Sequence, residues 1–492
     1  MANKHASMWV YPWDLLDEGM DAALDHMQSR GGMTGINVTT VYHAGKFLLV
    51  HNPRKRLYFP RSGTLYFRPD SSWYGRLRIQ PPVWPEVEAR DFWPELREKT
   101  RQRGLELTAW TLCLHNSGIG TAYPDTAVEN AFGDKVYTDL CAHNPDVREY
   151  MVAVAGDLAA NFGFDRILLE SLEYMPFRHG FHHEVIGVPT GPTVDFLMSL
   201  CFCPHCTAAA QEAGLDLAHV RRWVRNTLEG HFADPYNAKT ELSWEELHQA
   251  ADGQFGPFLA LRQRALTTLL EQVVAAIRNV SDARIAILDF GPLYGLGPDG
   301  RAWENGVNLA QQLPLVDEVH PTFYFADPAV HRAKIEQYLG VLQNEKPMVP
   351  AIRAILPQTT SEQSLVDQLA PLAPHAAGFT FYNYGFLPLP TLDWIRRALA
   401  AVGAGAASRT PGSPTPTRPA GVSGRGEVDP AIRAHRAVRA PIVTGILDIC
   451  GSIGRWRWWH PTTRSRGEPM RSCPSPVPTM SPAIRWSGHG PT

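Results

Sequence analysis

Three thiols and an imidazole fall within six residues, Cys201-Phe202-Cys203-Pro204-His205-Cys206, and a fourth thiol stands upstream in Cys141-Ala142-His143-Asn144-Pro145. The C-x-C-x-x-C spacing lets three thiolates converge on one tetrahedral ion, the arrangement that zinc with sulfur ligands prefers. Cys141 is the expected fourth ligand because it lies just ahead of a helical pattern. Cys113 sits inside a strand pattern instead, and His205 would have to fold back within its own turn. Four thiolates leave no open coordination position, so the expected zinc is structural. Between the two cysteine segments runs a strand-like stretch that ends in Glu170, with Glu173 three residues later, so a carboxylate pair shares the neighbourhood of the metal staple.

These residues need a scaffold. Eight short apolar or β-branched runs recur along the chain, each followed by a loop and a helical pattern: Met8 to Trp13, Gly35 to Tyr42, Leu105 to Leu114, Arg166 to Glu170, Arg284 to Phe290, Val316 to Phe325, Pro347 to Ile355 and Gly378 to Tyr384. Strands alternating with helices imply a parallel sheet, and eight such units close a (β/α)8 TIM barrel. Asp146 to Phe162 carries Val147, Met151, Val154, Leu158 and Phe162 at helical spacing, opened by Pro145 and closed by Gly163, as an outer barrel helix should be. Two loops exceed what a barrel needs, His51 to Trp84 after the second strand and Ser171 to about Leu200 after the fourth. Long loops at the carboxyl ends of barrel strands shape active sites. From residue 404 to the last residue the chain lacks Lys, Phe, Tyr, Asn and Gln and is rich in Pro, Ser, Thr, Gly and Arg. That composition cannot build a core, so residues 1–403 are expected to form the barrel and residues 404–492 a disordered tail.

The predicted strand ends carry Trp13, Tyr42, His43, Trp110, His115, Tyr324 and Tyr382. Aromatic faces stack on the apolar faces of pyranose rings while hydroxyl, amide and imidazole groups take up sugar hydroxyls, so these residues are expected to bind a carbohydrate. The loop after strand four adds Arg178-His179-Gly180-Phe181-His182-His183-Glu184. Here His182 and His183 could contact a sugar, or His179, His182, His183 and Glu184 could hold a catalytic metal.

The order Cys141-Ala142-His143-Asn144-Pro145-Asp146-Val147-Arg148, then a strand ending in Glu, then Cys201-x-Cys203-x-x-Cys206 and a helix resembles family 42 glycoside hydrolases, the β-galactosidase type, and related hypothetical glycosidase barrels. The resemblance spans about Cys141 to Cys206. It implies that the four cysteines hold structural zinc and that a Glu at the end of strand four is the acid/base. Leu172-Glu173-Tyr174 resembles that family's Asn-Glu-Tyr motif with Leu in place of Asn. Phe164 to Glu170 is similar to the F-D-G-I-x-x-D/E strand of other barrel glycosidases, which favours Glu170. The family takes its second carboxylate from strand seven, yet Met348 to Gln358 contains no Asp or Glu. Asp289 at the end of strand five becomes the expected partner, ahead of Asp327, which reads equally well as a helix start.

A formal net charge of -3 supplies no global field for gripping nucleic acid or an anionic membrane, so neither is an expected partner. No secretory signal pattern and no run of about 18 apolar residues is visible, and the expected location is the cytoplasm. The expected function is hydrolysis of a glycosidic bond by carboxylate acid/base catalysis. The alternatives are a metal-dependent sugar isomerase or lyase and a non-catalytic carbohydrate-binding barrel. The oligomeric state is left open.

Overall fold

A computed structural model describes residues 5–179, 184–237, 241–291, 302–343 and 345–407. The tail expected beyond the barrel therefore lies outside the described residues, except that the last helix, Pro390–Ala407, runs through the expected boundary at Gly403. His182 and His183 are likewise outside them.

The expected eight-stranded barrel is present. Its strands are β1 (His5–Val10), β2 (Gly35–Tyr42), β3 (Glu106–Leu112), β4 (Arg166–Glu170), β5 (Arg284–Asp289), β6 (Glu318–Pro321), β7 (Ala351–Arg353) and β8 (Gly378–Tyr382). Neighbours pair in parallel in the order β6-β5-β4-β3-β2-β1-β8-β7. Parallel bridges between Val319 and Met348 and between Thr322 and Ala351 close the ring between β6 and β7. At least one helix follows each strand, among them α1 (Pro12–Glu18), α2 (Phe92–Gln102), α3 (Pro145–Asn161), α4 (Phe255–Arg278), α5 (Leu309–Gln312), α6 (Pro328–Leu342), α7 (Glu362–Leu369) and α8 (Pro390–Ala407). A helix on the far side of each strand buries it on both faces, which is why β2 reads Gly-Ile-Asn-Val-Thr-Thr-Val-Tyr and is buried at every position. None of the described helices is long and apolar enough to cross a membrane.

Two expected boundaries shift for a reason visible in the sequence. Pro12 opens α1, so β1 stops at Val10 and Trp13 belongs to a helix rather than to a strand end. Pro347 and Pro350 donate no backbone N–H, so β7 is confined to Ala351–Arg353 instead of spanning Pro347 to Ile355. In α3, by contrast, Asn144 caps the first turn by accepting from the Asp146 and Val147 amides (2.9 and 3.3 Å), and Gly163 takes the left-handed conformation just past the end (φ 64°).

Residues two apart on a strand share a face, so the parity of each strand decides what meets on the axis. Arg166, the first residue of β4, fixes that parity. It is buried, its Nε donates to Glu318 of β6, and its Nη1 donates to Thr108 of β3 (3.1 Å) and meets His5 of β1 (3.4 Å). Only a side chain inside the barrel reaches three such strands. One layer higher, Asn37 donates to Ser7 (3.3 Å) and Thr380 (2.8 Å). Trp9 and Trp110 then meet at 4.6 Å between ring centroids. Leaving either Arg166 or Glu318 of the buried ion pair uncompensated would typically cost about 3–5 kcal/mol, so the floor resists a slip in strand register.

The excursions differ from expectation in number. The loop after β2 forms a hairpin, Phe47–Leu48 with Leu57–Tyr58, and a short strand, Thr64–Leu65, antiparallel to the end of β2. The segment after β4 is helical over much of its described length, including Pro192–Met198, Pro204–Glu212 and Leu217–Ala233. A third excursion, after β3, carries the hairpin Ala127–Glu129 with Lys135–Leu140.

Candidate active site at the barrel mouth

Inside parity runs Arg166, Leu168, Glu170, and Glu170 therefore ends β4 facing the axis. As a residue it is half-buried, in contrast to the buried Glu173 and Asp289. The Trp110 indole N–H, from the matching inward position of β3, donates to Glu170 Oε2. That single donor favours the charged form, but loss of water outweighs it and pushes the Glu170 carboxyl up to about 7.

Tyrosines surround this group. Their presence on the axis depends partly on an irregularity in β2, where the register against β3 shifts between Thr39 and Val41. Tyr42 then joins Tyr382 of β8 (3.3 Å between hydroxyl oxygens), and Tyr382 also meets Tyr11 (3.4 Å). Tyr324, just past β6, stands 6.3 Å from Tyr382 between ring centroids. Burial and the nearby Glu170 carboxylate hold the Tyr42 and Tyr324 phenols well above their ordinary value, so both stay protonated donors. Of the expected contact residues, Tyr42, Trp110, Tyr324 and Tyr382 thus share the mouth with Glu170. Trp13 does not face it: fully buried in α1, it stacks between Tyr11 (4.3 Å) and Tyr58 (4.2 Å) as a support for the mouth.

Asp289 does end β5, but on the other face. It shares the parity of Ile287, which pairs in register with the outward Leu169, and its neighbour is Tyr338 of the outer helix α6. Burial raises Asp289 to about 6. Glu173 is buried beside it, and both line a small cavity with Leu169, Ile287 and Gln312. Desolvation raises the Glu173 carboxyl well above its ordinary value, and the nearby Asp289, Asp139 and Glu170 carboxylates add to that. Glu173 therefore stays neutral. The expected pairing of Glu170 with Asp289 across the axis is not what the strands present, because parity sends the two carboxylates to opposite faces of the sheet.

His43 and His115 lie at one side of the mouth and gather His179: ring centroids are 5.1 Å apart for His43 and His115 and 4.7 Å for His115 and His179. Nδ1 of His115 meets the Thr138 carbonyl at 3.0 Å, an arrangement in which Nδ1–H donates and Nε2 accepts. Burial and the neighbouring imidazoles lower the basicity of His115 and bring His179 down to about 4, so both are neutral. Glu184 is exposed.

The four cysteines converge as their spacing implies. All are buried, their sulfurs lie within 4.8 Å of one another, and they form the only such group of potential metal ligands among the described residues. Cys141 is 3.5 Å from both Cys203 and Cys206. Tetrahedral zinc with Zn–S bonds of about 2.3 Å would set its sulfurs about 3.8 Å apart, so the donor set fits a four-coordinate ion. The Glu129 amide donates to Cys201 Sγ (3.4 Å), and His143 Nδ1 lies 3.5 Å from Cys206. The cluster joins the hairpin after β3 to the turn that opens Pro204–Glu212.

Three residues at or behind the mouth were not anticipated. Tyr11 hides behind the unexpected end of β1. Asp139 reaches Glu173 through a hairpin without a sequence signal, and its Oδ2 accepts from the Met175 amide (3.2 Å). Arg353 is the one charged residue of β7, and its register with Tyr382 turns it inward.

No protein-family model and no curated protein sequence matches the chain. Among solved structures it is similar to the glycoside hydrolase domain of PgaB (BpsB) from Bordetella bronchiseptica, with 15% identity and a TM-score of 0.49 over 80% of this chain and 98% of that one. It is also similar to the catalytic domain of β-amylase from Paenibacillus polymyxa, with 10% identity and a TM-score of 0.47 over 83% and 99%. A third likeness is to α-L-fucosidase isoenzyme 2 from Paenibacillus thiaminolyticus, with 11% identity and a TM-score of 0.46 over 82% of this chain. This chain spans 50% of that fucosidase's length.

Because the Trp110 N–H favours the carboxylate, Trp110→Phe should move the Glu170 titration above the parent's midpoint near 7. Carboxyl carbon NMR of labelled glutamate, assigned with Glu170→Gln, measures both midpoints. A parent midpoint at the ordinary value of 4.5 would contradict the burial argument.

Proposed function

We propose that the chain hydrolyses a glycosidic bond, with Glu170 protonating the leaving oxygen. One observation carries this reading: a partly buried Glu170 whose carboxyl is raised to about 7 stands at the carboxyl end of a barrel strand, where the active sites of this fold lie. A general acid must still hold its proton near neutral pH, and the partly dry pocket provides that. Tyr42, Trp110, Tyr324 and Tyr382 supply ring faces and hydroxyls for a sugar, with His43 and His115 flanking them. Glu173, buried with Asp289 on the other face of the sheet, is not placed to act as the base. The likeness of Cys141 to Cys206 to family 42 is consistent with this reading. The mouth nevertheless departs from that family's use of a carboxylate on strand seven, since β7 offers Arg353 there. The metal-dependent alternative draws on His179, His182, His183 and Glu184, of which His182 and His183 lie outside the described residues; among the described residues His43, His115 and His179 form no metal-ligand group.

The Glu170→Gln protein should lose about a hundred- to ten-thousand-fold in kcat on alkyl glycosides and far less on dinitrophenyl glycosides, whose leaving group needs no proton. Parent activity should fall as pH rises through about 7, where Glu170 gives up its proton. An equal loss on both substrate types would remove Glu170 from the acid role. If the parent hydrolyses neither yet binds sugars, the barrel is a binding protein.

The cysteine site is proposed to hold one structural zinc. Elemental analysis of purified protein should find one equivalent per chain, absent in Cys203→Ser, and that variant should melt at lower temperature because metal binding and folding are coupled. Metal-free protein with unchanged melting would refute the assignment.

A further inference from the structure

The position on β7 where a second carboxylate would complete a conventional pair holds a cation instead. Arg353 registers with Tyr382 and faces the axis. Its guanidinium lies 5.7 Å from the Tyr324 ring centroid and 5.9 Å from that of Tyr382. Contacts of this kind hold the guanidinium by its face and leave its N–H edge free to donate. Its Nε is buried and has no hydrogen-bond partner. Among the described residues no carboxylate stands within ion-pair distance of it, in contrast to Arg166 on the same axis, which meets both Glu318 and Glu106. Glu170 forms no ion pair with it; its Oε2 accepts from the Trp110 indole instead. A buried Nε–H without an acceptor is costly, and the half-buried residue keeps the rest of its fork open to a ligand.

We infer that the mouth selects an anionic saccharide, one whose carboxylate or sulfate group is received by the Arg353 guanidinium while its ring lies among Tyr42, Tyr324 and Tyr382. The inference takes the sugar from the hydrolytic reading above, but the charge rests on Arg353 alone. Arginine suits this task because its planar fork matches the two oxygens of a carboxylate or sulfate. The three phenols, Tyr42 buried and Tyr324 and Tyr382 half-buried, stay protonated and add neutral donors that do not repel an anion. The lack of a carboxylate on β7 follows the same logic, since a fixed negative charge beside Arg353 would compete with the anionic group for it.

Calorimetric titration of the full chain with methyl glycosides of glucuronic and galacturonic acid, of 6-sulfated galactose, and of glucose and galactose tests this directly. At least one acidic member should bind about ten- to a hundredfold more tightly than its neutral counterpart, a ratio expected for a charge-assisted contact. The preference should vanish in Arg353→Met and return in part in Arg353→Lys, with both variants melting as the parent does. Whether the uronates or the sulfated sugar gain the advantage separates the two sources of the anion. Equal affinity for acidic and neutral sugars, a preference that survives in Arg353→Met, or no binding by any member overturns the inference. If neutral glycosides are hydrolysed in a Glu170-dependent way without any acidic preference, the charge selection fails and the hydrolytic reading stands. If acidic sugars bind through Arg353 but no glycoside is cleaved, the reverse holds.

Discussion

The alternation of side chains along eight parallel strands decides what this barrel can do. Because successive residues face opposite sides of the sheet, each strand end contributes either to the axis or to the layer under the helices. The ion pairs of Arg166 with Glu318 and Glu106 pin β3, β4 and β6 to one register, and four residues later the same parity delivers Glu170 inward. A slip by one residue would exchange Glu170 for Leu169 and leave the mouth without an acid.

The second consequence of that rule is electrostatic. Carboxylates at the mouth and behind it are raised by loss of water, to about 7 for Glu170 and about 6 for Asp289, but only Glu170 combines the shift with access. Glu173 and Asp289 occupy the layer between sheet and helices, where burial first and the nearby Asp289 second raise the Glu173 carboxyl well above its ordinary value. Among the described residues the mouth, above the Arg166 layer, therefore brings together one inward carboxyl, a set of phenols and one guanidinium. The cysteine cluster lies outside this layer of chemistry and acts by position: it fastens the hairpin after β3 to the turn after β4, and both segments abut the strands that supply Trp110 and Glu170.

Much of this was legible in the sequence, and the parts that were not share a cause. Eight strands and the cysteine set follow from local spacing, and β2 and β4 match their expected bounds. Trp13 was misplaced because a run of aromatic residues continues past the true end of β1, and only Pro12 marks the change to helix. Asp289 was placed at the right strand end but its facing could not be known, since parity depends on pairing with β4 rather than on β5 itself. Asp139 and the approach of His43, His115 and His179 depend on excursions whose return points no local pattern specifies. Arg353 is plain in the sequence, but its inward facing depends on the register of β7 with β8.

The central claim is that Glu170 addresses the scissile oxygen from inside the barrel. A crystal structure of Glu170→Gln with a bound glycoside tests it most directly. The account predicts the glycosidic oxygen within about 3 Å of the residue 170 side chain, the reach of a proton donor, with the ring among Tyr42, Tyr324 and Tyr382. A sugar whose glycosidic oxygen instead meets Glu173 or Asp289, or one bound away from the axis, would contradict it.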